Sequence, residues 1–222
     1  MLASFPPNCI LELIIVYLTS ICRRDTGGFV AQDREIDMFQ KIRTIDNRVV
    51  EHVPALYNST MDKLMIMATY AGTGAFVWWI VLAMPFLLSA EYREAGVILT
   101  VALGLNYLIG EIIIKKSVGR DRPSVLLPEE EMKITKPKDH SFPSGHSASS
   151  FCAFAVTLVC CPPFIWIPSL LMAATIAFSR IYLRVHYLSD VIGGVVLGLI
   201  DGVAISLLMR YVVLINVDFL KA

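Results

Sequence analysis

Five stretches of this 222-residue chain, 64–90, 95–114, 147–161, 164–178 and 188–213, approach the run of about 20 apolar residues that a bilayer-spanning helix requires. Nothing else constrains the fold as strongly. Composition agrees: 56% of the residues are hydrophobic and the mean hydropathy is +0.65, too apolar for a soluble globule of one-domain size. The third and fourth stretches are short and joined by Pro162-Pro163. Proline lacks an N–H and disfavours helix in the residue before it, so this pair predicts a hairpin turn between two helices. The expected fold is all-α, a multi-pass transmembrane helical bundle of five to six spans, preceded by an N-terminal interfacial helix region. We divide the chain into an amphipathic, interfacial region over 1–61 and a transmembrane domain over 62–222.

The sixth possible span is the apolar run 9–22, only about 14 residues long and interrupted by Glu12. A cleaved signal peptide has positive charge before its apolar core, whereas Arg23 and Arg24 follow it here. The run is therefore expected to be an interfacial or short re-entrant helix, with a full span as the alternative. Residues 33–56 place Ile36, Phe39, Ile42, Ile45 and Val49 at helical spacing among charges, the pattern of a helix lying on a membrane surface. The 19 basic residues are balanced by 19 acidic ones, which gives no electrostatic footprint for nucleic acid. Cys9, Cys22, Cys152, Cys160 and Cys161 lie within or at the edge of apolar segments without C-x-x-C spacing, so neither a disulfide framework nor a zinc site is expected.

Three short strings in the second half carry the chemistry: Lys115 through Arg122-Pro123, then Pro143-Ser144-Gly145-His146, then Ser179-Arg180 followed by His186 and Asp190. Lys115 and Arg122 follow the second apolar stretch, Pro143 to His146 precede the third, Arg180 ends the fourth, and His186 with Asp190 opens the fifth. Antiparallel packing of consecutive spans puts all of them at one membrane face. Each has an ordinary reading alone. Lys and Arg at helix ends commonly snorkel to the interface, the expectation for Lys116 and Arg120; a His-Asp pair can be structural, and Pro-Ser-Gly a turn. Jointly they describe a phosphate site.

Phosphoryl transfer is catalysed mostly by positioning and by stabilising charge on the equatorial oxygens. Lys115, Arg122 and Arg180 are cationic donors, and an Arg side chain grips two oxygens at once. Ser144 and the Gly145 N–H add short donors at the start of a helix, itself an anion site. No metal-ligand cluster accompanies them, so the cations would stand in place of Mg2+, and no cofactor is expected. Asp190 lies four residues beyond His186, on the same helix face, where it can accept the Nδ1–H and leave Nε2 free to attack phosphorus. This spacing favours His186 over His146 as nucleophile; His146 is then the general acid and, later, the base for water. Glu111, four residues before Lys115, is expected to support that lysine. Asp201, on the stripe of Gly194, Gly198 and Gly202, is expected to be a buried packing partner. His52, His140 and the charges of 129–138 are expected at the surface.

With every motif position filled, K-x6-R-P, P-S-G-H and S-R-x5-H-x3-D, residues 62–213 resemble the type 2 phosphatidic acid phosphatase and vanadium haloperoxidase superfamily, on its membrane lipid phosphatase branch. The resemblance implies a phosphohistidine at His186 and hydrolysis of a phosphoric monoester or diphosphate. The implied substrate is a membrane lipid phosphate: undecaprenyl diphosphate first, then phosphatidylglycerol phosphate or phosphatidate. Hydropathy excludes a soluble haloperoxidase. A lipid phosphotransferase differs only in the acceptor. A non-enzymatic lipid-phosphate binder or transporter would need the cations but not both His146 and His186. The Lys and Arg count favours a cytoplasmic motif face, but the motif cations inflate that count. The resemblance to bacterial members implies an active site at the outer face of the cell membrane. Oligomeric state is not readable from the sequence.

Overall fold

The computed structural model describes the backbone of residues 31–221 and the side chains of residues 40–212. The run 9–22, with Cys9 and Cys22, and the side chains of Ile36 and Phe39 lie outside the described residues. Six helical units follow one another: α1 (Ala31–His52), α2 (Ser59–Leu88), α3 (Arg93–Val118), α4 (Gly145–Cys160), α5 (Pro163–Tyr182) and α6 (Leu188–Lys221). Among the described residues, α2, α3, α5 and the Leu188–Val212 part of α6 are long and apolar enough to cross a bilayer, while α4 is a shorter apolar helix of 16 residues. Each of the five predicted apolar stretches falls on one of them, and the protein is a multi-pass membrane protein.

Sequence sets the ends. Asn58 caps α2 by accepting the Met61 N–H at 2.9 Å. Gly119 adopts φ 63° after Val118 and its N–H bonds the Lys115 carbonyl, the left-handed stop that glycine allows at a helix C-terminus. Pro163 opens α5 at its first position, where a missing N–H costs nothing, so Pro162-Pro163 makes the expected turn. α2 is not continuous: at 73–75 both Gly74 and Ala75 turn to φ 58°. α3 widens over Leu108–Ile114 to a π-type turn, which sets the register of Glu111 and Lys115.

The core lies between α2, α3, α4 and α5, with Trp78, Leu99, Ala102, Ala153 and Ile176 among its buried residues. The α6–α4 contact has a different character. Gly194, Gly198 and Gly202 are buried, and a Cβ on Gly198 or Gly202 would run into the Ala148 or Cys152 backbone. On the other side of α6, Ile192, Val196 and Ile200 form an exposed stripe that suits lipid. Asp201 accepts from the buried Asn106 of α3 at 2.8 Å, the packing role expected of it, though Asp201 itself is only half-buried. α1 turns a mixed face towards the rest of the protein. Ile45 is exposed, Ile42 and Val49 are half-buried, and the side chains turned into the protein are Asp46 and Val50. The polar face is turned in because the buried Asp46 meets a half-buried arginine, described below.

Close backbone approach makes a sharp stability prediction. Gly198→Leu should lower the thermal midpoint in detergent by about 5 °C, because over-packing costs on the order of 1–3 kcal/mol and the facing backbone cannot retreat. Gly104→Ala, whose Cβ meets open space, should leave the midpoint unchanged. Equal effects at the two positions would contradict the packing described.

Candidate active site

The three motifs converge because four helix ends meet at one face of the bundle. Lys115 sits in the last turn of α3, Ser144 to His146 open α4, Arg180 lies in the last turn of α5, and the 183–187 loop carries His186 to Asp190 at the start of α6. Ser144 caps α4, its buried hydroxyl accepting from the Ser147 N–H at 3.4 Å, and its own N–H reaches the Asp190 carbonyl at 3.0 Å. That bond ties the second motif to the third. Gly145 has no room for a side chain because the Glu111 carboxylate packs against it.

The cations are buried, and acids hold two of the three. Lys115 Nζ donates to both Glu111 oxygens at 2.7 Å, the support predicted from their spacing, and to Asp139 Oδ2 at 2.9 Å. Arg122 binds the same Asp139 with its Nη2, at 2.9 and 3.0 Å to the two oxygens, and with Nε at 2.8 Å to the Asp139 carbonyl. Its Nη1 lies 2.9 Å from both the Val185 carbonyl and His186 Nε2. Arg180 donates Nη1 to Thr69 of α2 and leaves Nε buried without a partner. Burial works against charge on Asp139, but the Lys115 hydrogen bond and the Arg122 charge outweigh it and hold the carboxyl down at about 2. Asp139 is therefore ionised through the neutral range and loses its grip only as pH falls toward that value.

Both histidines reach one cavity of about 530 Å³, whose polar end is formed by Lys115, Arg122, Asp139 and Arg180 and whose other wall includes Trp79, Leu103 and Tyr107. His146 Nε2 lies 3.1 Å from the Thr69 carbonyl and 3.5 Å from Thr73 Oγ1, at the break in α2. His186 is 1% exposed. Burial, then the charges of Arg122, Arg180 and Lys115, push it well below the ordinary imidazole value, so the ring is neutral. The expected Asp190 contact is present but open: Nδ1 stands 3.6 Å from Asp190 Oδ2 and has no hydrogen-bond partner. Asp190 is committed elsewhere, to Arg120 at 2.6 Å and to the Tyr187 N–H at 2.9 Å. Because Nε2 faces the Arg122 donor, the proton belongs on Nδ1, the side of Asp190.

Arg120 is a correction to the sequence reading, which took it for a surface anchor. Its guanidinium bridges Asp190 and Asp46, the latter at 2.8 Å, bonds Ser189 Oγ at 2.7 Å, and lies 4.2 Å over the Tyr187 ring. Asp46 also accepts from the Ser189 N–H and hydroxyl at 2.9 and 2.6 Å. Burial disfavours the Arg120 charge, but the Asp190 and Asp46 carboxylates more than offset it and raise its pKa. Lys116, in contrast, is exposed, as expected, and so are His52 and His140. Asp46, Thr69 and Asp139 carry no motif. The signal available for Asp46 was a lone acid among Ile42, Ile45 and Val49, on a helix expected to lie on a membrane surface.

Comparison with known proteins agrees with the geometry. The family model described as the PAP2 superfamily matches residues 95–214. An undecaprenyl-diphosphatase of Sulfolobus acidocaldarius is 29% identical over 140 residues, 63% of this chain and 66%, just under two thirds, of the relative. Phosphatidylglycerophosphatase B of Bacillus subtilis is 25% identical over 174 residues, 72% of this chain and 80% of the relative. In structure, the first transmembrane PAP2 type phosphatidylglycerolphosphate phosphatase from Bacillus subtilis superposes with a TM-score of 0.67 at 20% identity, over 91% of this chain and 95% of that one, a likeness of fold.

Arg120→Ala should destabilise the protein by about 3 kcal/mol, the scale of breaking a buried ion pair, because it strands Asp46 and Asp190. Asp46→Asn should keep the fold and lower turnover, while Lys116→Ala should change neither. Thermal unfolding in detergent and steady-state rates check this; an Arg120 variant as benign as the Lys116 one would return Arg120 to the surface.

Proposed function

The chain belongs to the PAP2 superfamily, and we propose that it is a membrane lipid phosphatase that hydrolyses a lipid phosphate or diphosphate through a phosphohistidine on His186, without a metal ion. The observation that carries this reading is the pairing of two histidines with three buried cations around one cavity. A binder of lipid phosphates has use for the cations alone.

The roles follow from position. Lys115, Arg122 and Arg180 gather the phosphate oxygens, with the Gly145 N–H and Ser144 at the start of α4 beside them. Arg122 turns its Nη1 from His186 Nε2 to the phosphate, which frees that lone pair to attack phosphorus. Asp190, itself oriented by Arg120, keeps the Nδ1–H tautomer in place and stabilises charge on the ring. His146 protonates the departing oxygen, then takes a proton from the water that attacks the phosphohistidine. The three cations supply the charge stabilisation that Mg2+ supplies in other phosphoryl-transfer sites.

The apolar wall of Trp79, Leu103 and Tyr107 accommodates the first carbons of a lipid tail while the headgroup reaches the cations. The substrates in the relatives' names, undecaprenyl diphosphate and a phosphatidylglycerophosphate, are the first to try. We place the site at the outer face of the cell membrane, as the resemblance to bacterial members implies. Lys115, Arg122 and Arg180 are buried in the site, so they are left out of a positive-inside count. Maleimide labelling of a cysteine at position 130 in intact cells tests that placement, and protection from an impermeant reagent contradicts it.

Phosphate release from these lipids should survive EDTA and should be inhibited by vanadate, a mimic of trigonal-bipyramidal phosphorus. Strict dependence on Mg2+ would sink the metal-free mechanism. Arg122→Lys and Arg180→Lys should each lose activity by about a hundredfold, because an ammonium cannot reproduce the two-oxygen grip; retention of most activity in both would show that the site is a diffuse charged patch.

A further inference from the structure

We propose that Asp139 is an exchange residue of this reaction: its carboxylate holds Lys115 and Arg122 in register in the empty site, withdraws when the substrate phosphate enters, and returns as the product phosphate leaves. The inference rests on the phosphatase reading above.

Two acids touch Lys115, and they differ in how they are held. Glu111 belongs to α3, stands one helical turn before Lys115, bonds it with both oxygens, and is the less exposed of the two, at 28%. Asp139 stands on the long 119–144 loop, on the solvent side of the cations: its side chain is 50% exposed, against 7% for Lys115 and 3% for Arg122. A carboxylate that presents both oxygens to Arg122 and one of them to Lys115 makes contacts that phosphate oxygens would make.

Withdrawal needs no opening of the loop. The loop is tied down by Lys133 to Asp62 at 2.7 Å and Arg184 to Glu131 at 2.9 Å, and the Asp139 carbonyl is anchored by Arg122 Nε. Rotation of one side chain clears the site. Charge supports the exchange. With both acids in place, Lys115, Arg122 and Arg180 leave one net positive charge; with Asp139 withdrawn they leave two. A phosphate monoester carries close to two negative charges at neutral pH. The empty site then carries one net positive charge and the filled site close to none, and in neither do the three buried cations face each other uncompensated.

The test uses the purified full-length chain and two probes, inorganic phosphate and vanadate. In Asp139→Asn the amide oxygen still accepts from Arg122, but the competing charge is gone. Inhibition by both anions should tighten by about tenfold, the scale of removing one like charge near the site, and KM for the lipid should fall, with kcat unchanged or lower as phosphate release slows. Glu130→Gln, which removes the same charge from an exposed position on the same loop, should leave both inhibition constants, KM and kcat alone. Anion inhibition that is unchanged or weaker in Asp139→Asn overturns the proposal, as does equal tightening in Glu130→Gln. Should Asp139→Asn fold poorly, the rise in thermal midpoint on adding phosphate to Asp139→Ala asks the same question, and a rise no larger than in the unmodified chain overturns it. That shift needs no turnover, so it separates failure of the exchange from failure of the phosphatase reading, which would show as a wild-type chain inactive on every lipid phosphate.

Discussion

Three cations are buried side by side in an apolar helical bundle, and much of the site is organised to make that tolerable. Charge taken out of water is costly unless it is paired and hydrogen-bonded. Glu111 and Asp139 answer Lys115 and Arg122, and Thr69 answers Arg180. The arrangement remains hungry for an anion, since the acids do not balance the bases. On the proposed reading, a phosphate completes the site and catalysis draws on that incompleteness.

A second charged network stands behind the first. Asp46, Arg120, Asp190 and Ser189 form one connected group, which meets the site at His186 and at Ser144, whose N–H bonds the Asp190 carbonyl. Its first member comes from α1, outside the segment matched by the family model. The helix that precedes the spans therefore helps to fix the acid that faces the nucleophile. The same contact explains why α1 turns Asp46 inward and leaves Ile45 exposed.

Much of this was legible in the sequence because its causes are local or periodic. The five apolar stretches announce their helices through length alone, Pro162-Pro163 its turn, and the glycines at 194, 198 and 202 a packing face through their four-residue spacing. Glu111 and Lys115 are neighbours by helix geometry. What escaped the sequence depends on contacts made across the fold. Arg120 meets Asp46 over 74 residues and Asp190 over 70, and no local pattern separates such an arginine from a snorkelling one. Asp139 sits in a loop without periodicity. The His186–Asp190 contact was expected closed and stands open, since competing donors from Arg120 and the Tyr187 backbone were invisible to spacing.

The central claim is that His186 becomes covalently phosphorylated, and trapping the intermediate tests it most directly. Purified protein is mixed with radiolabelled lipid phosphate, quenched within milliseconds in alkali, which preserves phosphohistidine, and digested for mass spectrometry. The account predicts label on His186, absent in His186→Ala, and accumulating in His146→Ala when an activated ester removes the need for a general acid. Label on His146, or label undiminished in His186→Ala, would contradict it.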